Sequence, residues 1–109
     1  MDSKNMFISS QHRLKDFDWS ELTYVGLDHE MADEFKIDKV TKYAHMLFDE
    51  PEVYVIVGRH NSHVALLDDA LPKVSMYLKT SDVMLCNTSF TKALQFYKIG
   101  VMQSGEKRQ

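Results

Sequence analysis

The stretch Glu52–Arg59, with the sequence Glu-Val-Tyr-Val-Ile-Val-Gly-Arg, constrains the fold of this chain more than any other feature. It holds an unbroken run of β-branched and aromatic residues from Val53 to Val57, with Pro51 before it and Gly58 after it. A short, valine-rich run that is punctuated at both ends is typical of a strand buried on both faces. The sequence therefore predicts a central strand here, with the core of the fold around it.

Two further short apolar runs follow the central strand. Residues 59–63 are polar and precede the run 64–67, which predicts a β-hairpin with the central strand. Asp68 and Asp69 then provide a helix N-terminus, with Pro72 in the first turn, where its missing N–H costs nothing. Residues 82–86 form another short apolar run between turn-forming residues. We therefore predict a sheet that holds strands 53–58, 64–67 and 82–86, with a helix between the last two strands.

The region before the central strand predicts helix. Its apolar residues recur at spacings of three and four, which is the period of one face of a helix; they are Ile37, Val40, Ala44, Leu47 and Phe48. Proline disfavours helical geometry in the residue before it, so the helix should end before Pro51. The pattern predicts one long helix, or two abutting helices, over residues 29–49.

Two segments allow both helix and strand. Asp18-Trp19-Ser20-Glu21 has the form of a capping box and predicts a short helix, although residues 22–25 also fit a strand. Ser89 is a suitable cap for a helix over 90–98 that ends at Gly100. The alternation of apolar residues over 93–102 instead favours a strand, and the sequence leaves residues 89–101 open between the two.

The chain is expected to fold as a single domain over residues 1–109, because a chain of this length can bury a core without disulfides. Residues 1–15 are expected to be a ragged lead-in and 104–109 a frayed tail. The predicted class is α/β (α+β): a two-layer domain with a small central sheet and helices packed against it.

Composition excludes several classes of protein. Apolar residues make up 44% of the chain and charged residues 27%, values typical of a soluble globular protein. No run approaches the roughly 18 apolar residues of a membrane helix, and the polar start leads us to expect no secretion signal. The single cysteine, Cys86, ends an apolar run without a neighbouring base, so we expect a buried structural thiol. A cytoplasmic location is expected, with no membrane contact and no cofactor.

Charge is distributed unevenly along the chain. Residues 1–50 contain eleven acidic and six basic residues, whereas 51–109 contain five acidic and seven basic ones. The segment Asp16–Phe35 has seven acidic residues and neither lysine nor arginine. Direct binding to nucleic acid depends on clustered lysine and arginine, so this segment argues against it. It is compatible with a basic protein partner.

The acidic segment also contains Trp19 and Tyr24, two residue types that are enriched at binding hot spots. Aromatic side chains among carboxylates suit a face that docks on a basic cleft, although a solvated acidic surface explains the charges equally well. The predicted partner-binding residues are Asp16, Asp18, Trp19, Glu21, Tyr24, Asp28, Glu30, Asp33 and Glu34.

His60 and His63 are the only pair of strong metal ligands at close spacing. Zinc sites on helices pair histidines at i and i+4 with a glutamate, whereas this pair is separated by three positions in a predicted turn. Two solvated histidines are therefore the preferred interpretation, and the pair is kept only as a weak metal candidate.

These observations lead to one preferred function and two alternatives. We expect a non-enzymatic protein-binding module, most concretely a small acidic inhibitor of the immunity or antitoxin kind that neutralises a basic toxin such as a nuclease domain. The first alternative is a small enzyme or a ligand- or metal-binding domain that uses the His60/His63 turn. The second is a homo-oligomer in which Trp19 and Tyr24 contact another copy of the chain.

Overall fold

A computed structural model describes residues 2–26, 35–58 and 60–108 of the chain. The predicted class is confirmed: helices pack against an antiparallel sheet of seven strands in an α/β (α+β) fold. The helices are α1 (Ser3–Arg13), α2 (Ile37–Leu47), α3 (Leu67–Ala70) and α4 (Val74–Tyr77). The strands are β1 (Phe17–Trp19), β2 (Thr23–Tyr24), β3 (Glu52–Ile56), β4 (His63–Leu66), β5 (Val83–Asn87), β6 (Lys92–Tyr97) and β7 (Val101–Lys107).

The central stretch forms β3, as predicted, and it lies between β4 and β5. The expected hairpin and the third strand are also present, so the three predicted strands are neighbours in one sheet. The strand order is β1-β7-β6-β5-β3-β4, and β2 pairs with β7 beyond the end of β1. The central stretch therefore lies one strand away from an edge of the sheet.

Helices cover both faces of the sheet. Successive residues of a strand point to opposite faces, so each face carries its own set of apolar side chains. Val53 and Val55 face the cluster under α2, α3 and α4, whereas Ile56 lies in the cluster under α1. The sheet is thus larger than the small one predicted, and α1 adds a layer on its second face. We refer to these as the α2 face and the α1 face.

The expected lead-in over residues 1–15 is wrong, because residues 3–13 form α1. The Asp2 carboxylate accepts a hydrogen bond from the Asn5 backbone N–H at 2.8 Å and caps the helix. Met6 and Ser10 are buried one turn apart. The Ser10 hydroxyl donates to the Phe7 carbonyl at 2.7 Å, so a polar residue occupies the buried side without an unpaired group. That serine interrupts the apolar pattern in the sequence and conceals the helix.

The short helix predicted at Asp18–Glu21 is also wrong. Phe17 and Trp19 alternate with the exposed Asp18, and β1 pairs with the end of β7. The alternative strand over 22–25 is confirmed at β2. Because β7 runs to Lys107, most of the expected frayed tail is an ordered strand.

For residues 89–101 the strand alternative is correct. Asn87 accepts hydrogen bonds from the backbone N–H groups of Thr91 and Lys92 at 2.8 and 3.0 Å, which orders the β5–β6 loop. Gly100, expected at a helix end, has a φ of 95° in the turn between β6 and β7. The cross-strand pairs on both sides of β6 outweigh the capping signal of Ser89.

The long predicted helix is present as α2 from Ile37 to Leu47, with Val40 and Ala44 buried as expected. Its predicted first part, 29–34, lies outside the described residues. Within the part of the chain that the structure describes, no helix has the length and apolar content needed to cross a membrane.

Candidate functional site

An open groove separates α2 from the β1–β7 edge of the sheet, on the α2 face. Its volume is about 680 Å³, which is within the usual range for ligand and side-chain binding sites. We call it the α2 groove; it is lined by Asp18, Trp19, Ser20, Tyr43, Met46, Leu47, Ser104, Glu106, Lys107 and Arg108. Two of the predicted partner-binding residues, Asp18 and Trp19, belong to this lining.

The helix wall of the groove is apolar and exposed. Because α2 buries Val40 and Ala44 against the sheet, Tyr43 and Met46 lie on a different side of the helix. Met46 is 77% exposed, which is unusual for a methionine, and Tyr43 is 36% exposed. The Tyr43 hydroxyl lies 3.0 Å from the Ser104 hydroxyl on β7, so the ring is anchored across the groove.

The sheet wall of the groove is charged. Asp18 on β1, Glu106 on β7 and Lys92 on β6 are successive cross-strand partners, so their side chains point to the same face. Arg108 donates from Nε and Nη2 to Oδ1 of Asp18 at 3.0 and 2.9 Å. The Lys92 ammonium donates to Asp49 at 3.1 Å. Asp18, which lines the groove, and Asp49, which lies outside its lining, therefore each accept a hydrogen bond from a cation.

Trp19 has a structural role that the sequence did not indicate. Its ring lies over Gly105, where a Cβ atom would come within 2.7–2.9 Å of ring carbons. The ring is tilted against that of Phe17 at a centroid distance of 5.7 Å, and both residues pack with the α1-face cluster. Trp19 is partly buried and its ring packs on the α1 face, so the residue borders the α2 groove without being an exposed anchor in it.

The other predicted partner-binding residues are only partly brought together. Asp16 and Glu21 are exposed, as is Tyr24 at 45%. Lys36 lies over the Tyr24 ring, with its Nζ 5.9 Å from the centroid, and Lys39 donates to the Tyr24 carbonyl at 3.2 Å. Two lysines at the start of α2 thus lie beside the acidic segment, although that segment itself contains no lysine. The remaining four, Asp28, Glu30, Asp33 and Glu34, lie outside the described residues.

The two histidines of the β3–β4 turn have separate surroundings. Nδ1 of His63 is 3.1 Å from the Asn61 carbonyl oxygen, and the ring lies edge-on to Tyr77 at 6.3 Å. His60 is exposed. Among residues 2–26, 35–58 and 60–108, no group of three or more histidine, cysteine or acidic side chains is arranged to hold a metal ion.

Cys86 is fully buried in β5, as expected from the sequence. Burial raises the pKa of its thiol to about 12, and the charge of Arg13 opposes that rise in part. The thiolate is the nucleophilic form of cysteine, so this side chain is inert at neutral pH.

Sequence reasoning missed Tyr43, Met46 and Glu106. Tyr43 and Met46 are three positions apart and lie outside the apolar stripe of α2. This spacing can be read from the sequence alone, so the pair could have been found there. No pattern in the sequence indicated Glu106, which was assigned to the frayed tail. Its position opposite Asp18 depends on the register between β1 and β7.

A scan against protein-family models, a search of curated proteins and a search of solved structures find no match to this chain.

Proposed function

We propose that this protein is a non-enzymatic binding module: a small acidic cytoplasmic inhibitor of the immunity or antitoxin kind, which binds and neutralises a basic toxin such as a nuclease domain. One observation carries the proposal. The α2 groove places two exposed apolar side chains, Tyr43 and Met46, opposite two carboxylates at the same strand register, Asp18 and Glu106.

An apolar wall next to a charged wall suits a protein partner. Exposed aromatic and methionine side chains supply the desolvated centre of an interface, and charges at its rim steer the encounter and set specificity. The open form of the groove admits a protruding side chain of another protein. An arginine or lysine of the partner could lay its methylene groups along Met46 and direct its charge to Glu106.

Arg108 is part of this proposal. It already donates two hydrogen bonds to Asp18, so the groove holds a guanidinium from its own chain. A basic partner would compete with Arg108 for this carboxylate. Both Asp18 and Arg108 are about two-thirds exposed, so the exchange would require little desolvation.

The first experiment identifies a partner by affinity capture from the source cells. The baits are the wild-type chain, a Tyr43→Ala/Met46→Ala variant and a Met76→Ala control, because Met76 is 54% exposed on α4, away from the groove. We expect a basic protein that is captured by the wild type and the control and is lost with the groove variant.

The second experiment measures binding of that protein by calorimetry at two salt concentrations, and its toxic activity with and without the module. Asp18→Lys/Glu106→Lys should weaken binding about tenfold or more and reduce its salt dependence, whereas Asp69→Lys should have little effect. Circular dichroism confirms that each variant is folded. Binding that is unaffected by both groove variants, or a partner without a basic face, would contradict the proposal.

A further inference from the structure

The last strand of the sheet, β4, has a free edge within the part of the chain that the structure describes, because it pairs only with β3. Its sequence is His63-Val64-Ala65-Leu66. Natural edge strands are usually protected from pairing by lysine, proline, a bulge or a covering element. β4 contains no lysine and no proline, and its register with β3 continues without a bulge over all four residues.

The edge strand is also apolar on its exposed side. Val64 is 45% exposed and Leu66 is 50% exposed. In register, Val64 lies opposite Tyr54 and Leu66 opposite Glu52, so both side chains lie on the α1 face of the sheet. α1 leaves them largely uncovered, and exposed β-branched and aliphatic residues on a free edge favour pairing with a further strand.

We propose that β4 pairs with β4 of a second copy of this chain, antiparallel and about a two-fold axis at Ala65. Opposite residues in antiparallel strands point to the same face. Around Ala65, Val64 of each copy lies opposite Leu66 of the other. The four apolar side chains then form one cluster on the α1 face, and the two sheets become continuous.

Polar complementarity favours a second copy in this orientation, because an imidazole N–H can donate a hydrogen bond to a carboxylate. The end of β4 that follows the turn carries His60 and His63, whereas the other end leads into Asp68 and Asp69. Antiparallel pairing brings the histidine end of one copy to the aspartate end of the other, twice per dimer. Parallel pairing would place like ends together. Asp68 already contacts His45 at 2.6 Å, so Asp69 is the carboxylate that we expect to contribute.

The proposed contact is independent of the α2 groove. β4 and β1 are the two ends of the strand order, so a dimer formed through β4 leaves the groove open in each copy. Four edge residues bury little surface, and interfaces below about 1,200 Å² are usually weak. We therefore expect a concentration-dependent equilibrium between monomer and dimer, with a dissociation constant in the micromolar range or above.

Sedimentation equilibrium over a wide concentration range tests the proposal with the full chain. The wild type should show a monomer–dimer equilibrium. Val64→Lys should raise the dissociation constant by about tenfold or more, because it places a charge in the apolar cluster. Ile99→Lys, at a 75% exposed position in the turn between β6 and β7, three strands from β4, should leave it unchanged, and Asp69→Lys should raise it by a smaller factor. A monomer mass that is independent of concentration, or a dimer that persists in Val64→Lys, would overturn the proposal.

The register is tested by oxidative cross-linking in a Cys86→Ser background. Ala65→Cys places a thiol on the two-fold axis, where Cβ atoms of opposite residues are about 4.5–5.5 Å apart, so a covalent dimer should form rapidly. Val64→Cys places its thiol opposite Leu66 of the other copy, and it should cross-link much more slowly. Equal rates for the two variants would refute the two-fold axis at Ala65.

Discussion

The two edges of the sheet are built differently. At one edge, β7 is covered by β1 and β2, which pair with its two ends. Between them, Ser20 donates its backbone N–H to the Ser104 carbonyl at 2.7 Å and accepts from the Ser104 N–H through its hydroxyl at 2.9 Å. At the other edge, β4 presents an uninterrupted four-residue strand with two exposed apolar side chains.

The two edges differ in the features that decide whether an edge strand can pair with another chain. The β1 edge is short, interrupted and charged, since Asp18 and Arg108 lie along it. These are the features that discourage pairing with another chain. The β4 edge is also short, but its four residues pair with β3 without interruption and include no lysine, arginine or acidic residue, so it is available for pairing. The groove and the self-pairing strand therefore lie at opposite ends of one sheet, and each edge can be perturbed while the other serves as its control.

The largest expected effect concerns Cys86, in the strand between the two edges. β5 is separated from β4 by β3 and from β1 by β6 and β7, so fraying of either edge should leave its thiol covered. At neutral pH, we expect a thiol-specific reagent to label the native protein on the order of a thousandfold more slowly than the unfolded chain. Labelling followed by absorbance measures both rates. If the native thiol reacts rapidly, one edge opens deeply enough to expose the centre of the sheet.

The same thiol predicts a loss of stability at alkaline pH. Its pKa is raised from 9.0 to about 12 in the folded protein, so between these values the folded chain keeps a proton that the unfolded chain loses. Stability should therefore fall as pH rises through this window, by up to about 1.4 kcal/mol per pH unit from this group. Urea unfolding should show a shallower alkaline decline for Cys86→Ala than for the wild type. Equal slopes would contradict the assignment.

The next effect tests how β1 is held. A Cβ atom at Gly105 would meet the Trp19 ring at 2.7–2.9 Å, so Gly105→Ala should displace β1 or the ring. We expect a loss of about 1–3 kcal/mol in the free energy of unfolding, which is the usual cost of overpacking. Denaturant unfolding measures it, and the near-ultraviolet signal of Trp19, the only tryptophan, reports the local change.

A matched variant separates steric conflict from backbone effects. In a Trp19→Leu background the smaller side chain should make room, so Gly105→Ala should cost less there than in the wild type. An equal cost in both backgrounds would mean that the glycine is required for another reason. The β4 edge should be unaffected, so the dimer equilibrium of both variants should match that of the wild type.

Much of the fold could be predicted from the sequence where local pattern and tertiary packing agree. The valine run at β3 and the apolar stripe of α2 each signal one structure. The predictions of secondary structure were wrong in segments where polar residues occupy structural positions. Ser10 bonds to its own helix and is buried, and Asp18 alternates with two aromatic residues instead of capping a helix.

The candidate site was less predictable, because it depends on strand register. Asp18 belonged to the predicted acidic face, but its cross-strand partner Glu106 and its ion-pair partner Arg108 come from a segment about ninety positions away. Lys36 and Lys39 likewise approach Tyr24 only after folding. Charge segregation along the chain therefore overstated the acidity of the folded surface near β1 and β2.

The smallest expected effects come from an exposed ion pair and an exposed histidine–carboxylate hydrogen bond, one associated with each edge. Asp18 pairs with Arg108 beside β1, and His45 pairs with Asp68 just beyond β4. All four side chains are more than half exposed, so Asp18→Asn and Asp68→Asn should each lower the free energy of unfolding by less than about 1 kcal/mol. Asp69→Asn serves as the comparison on α3, because Asp69 takes part in no ion pair among the described residues. Denaturant unfolding at low and high salt should show the loss for Asp18→Asn shrinking as salt screens the charges of its ion pair. A loss of several kcal/mol for Asp18→Asn would mean that charge, and not the packing of Trp19 on Gly105, holds β1 to the sheet. The protection of that edge would then depend on salt, and the groove would lose one of its walls whenever a basic partner took Asp18 from Arg108.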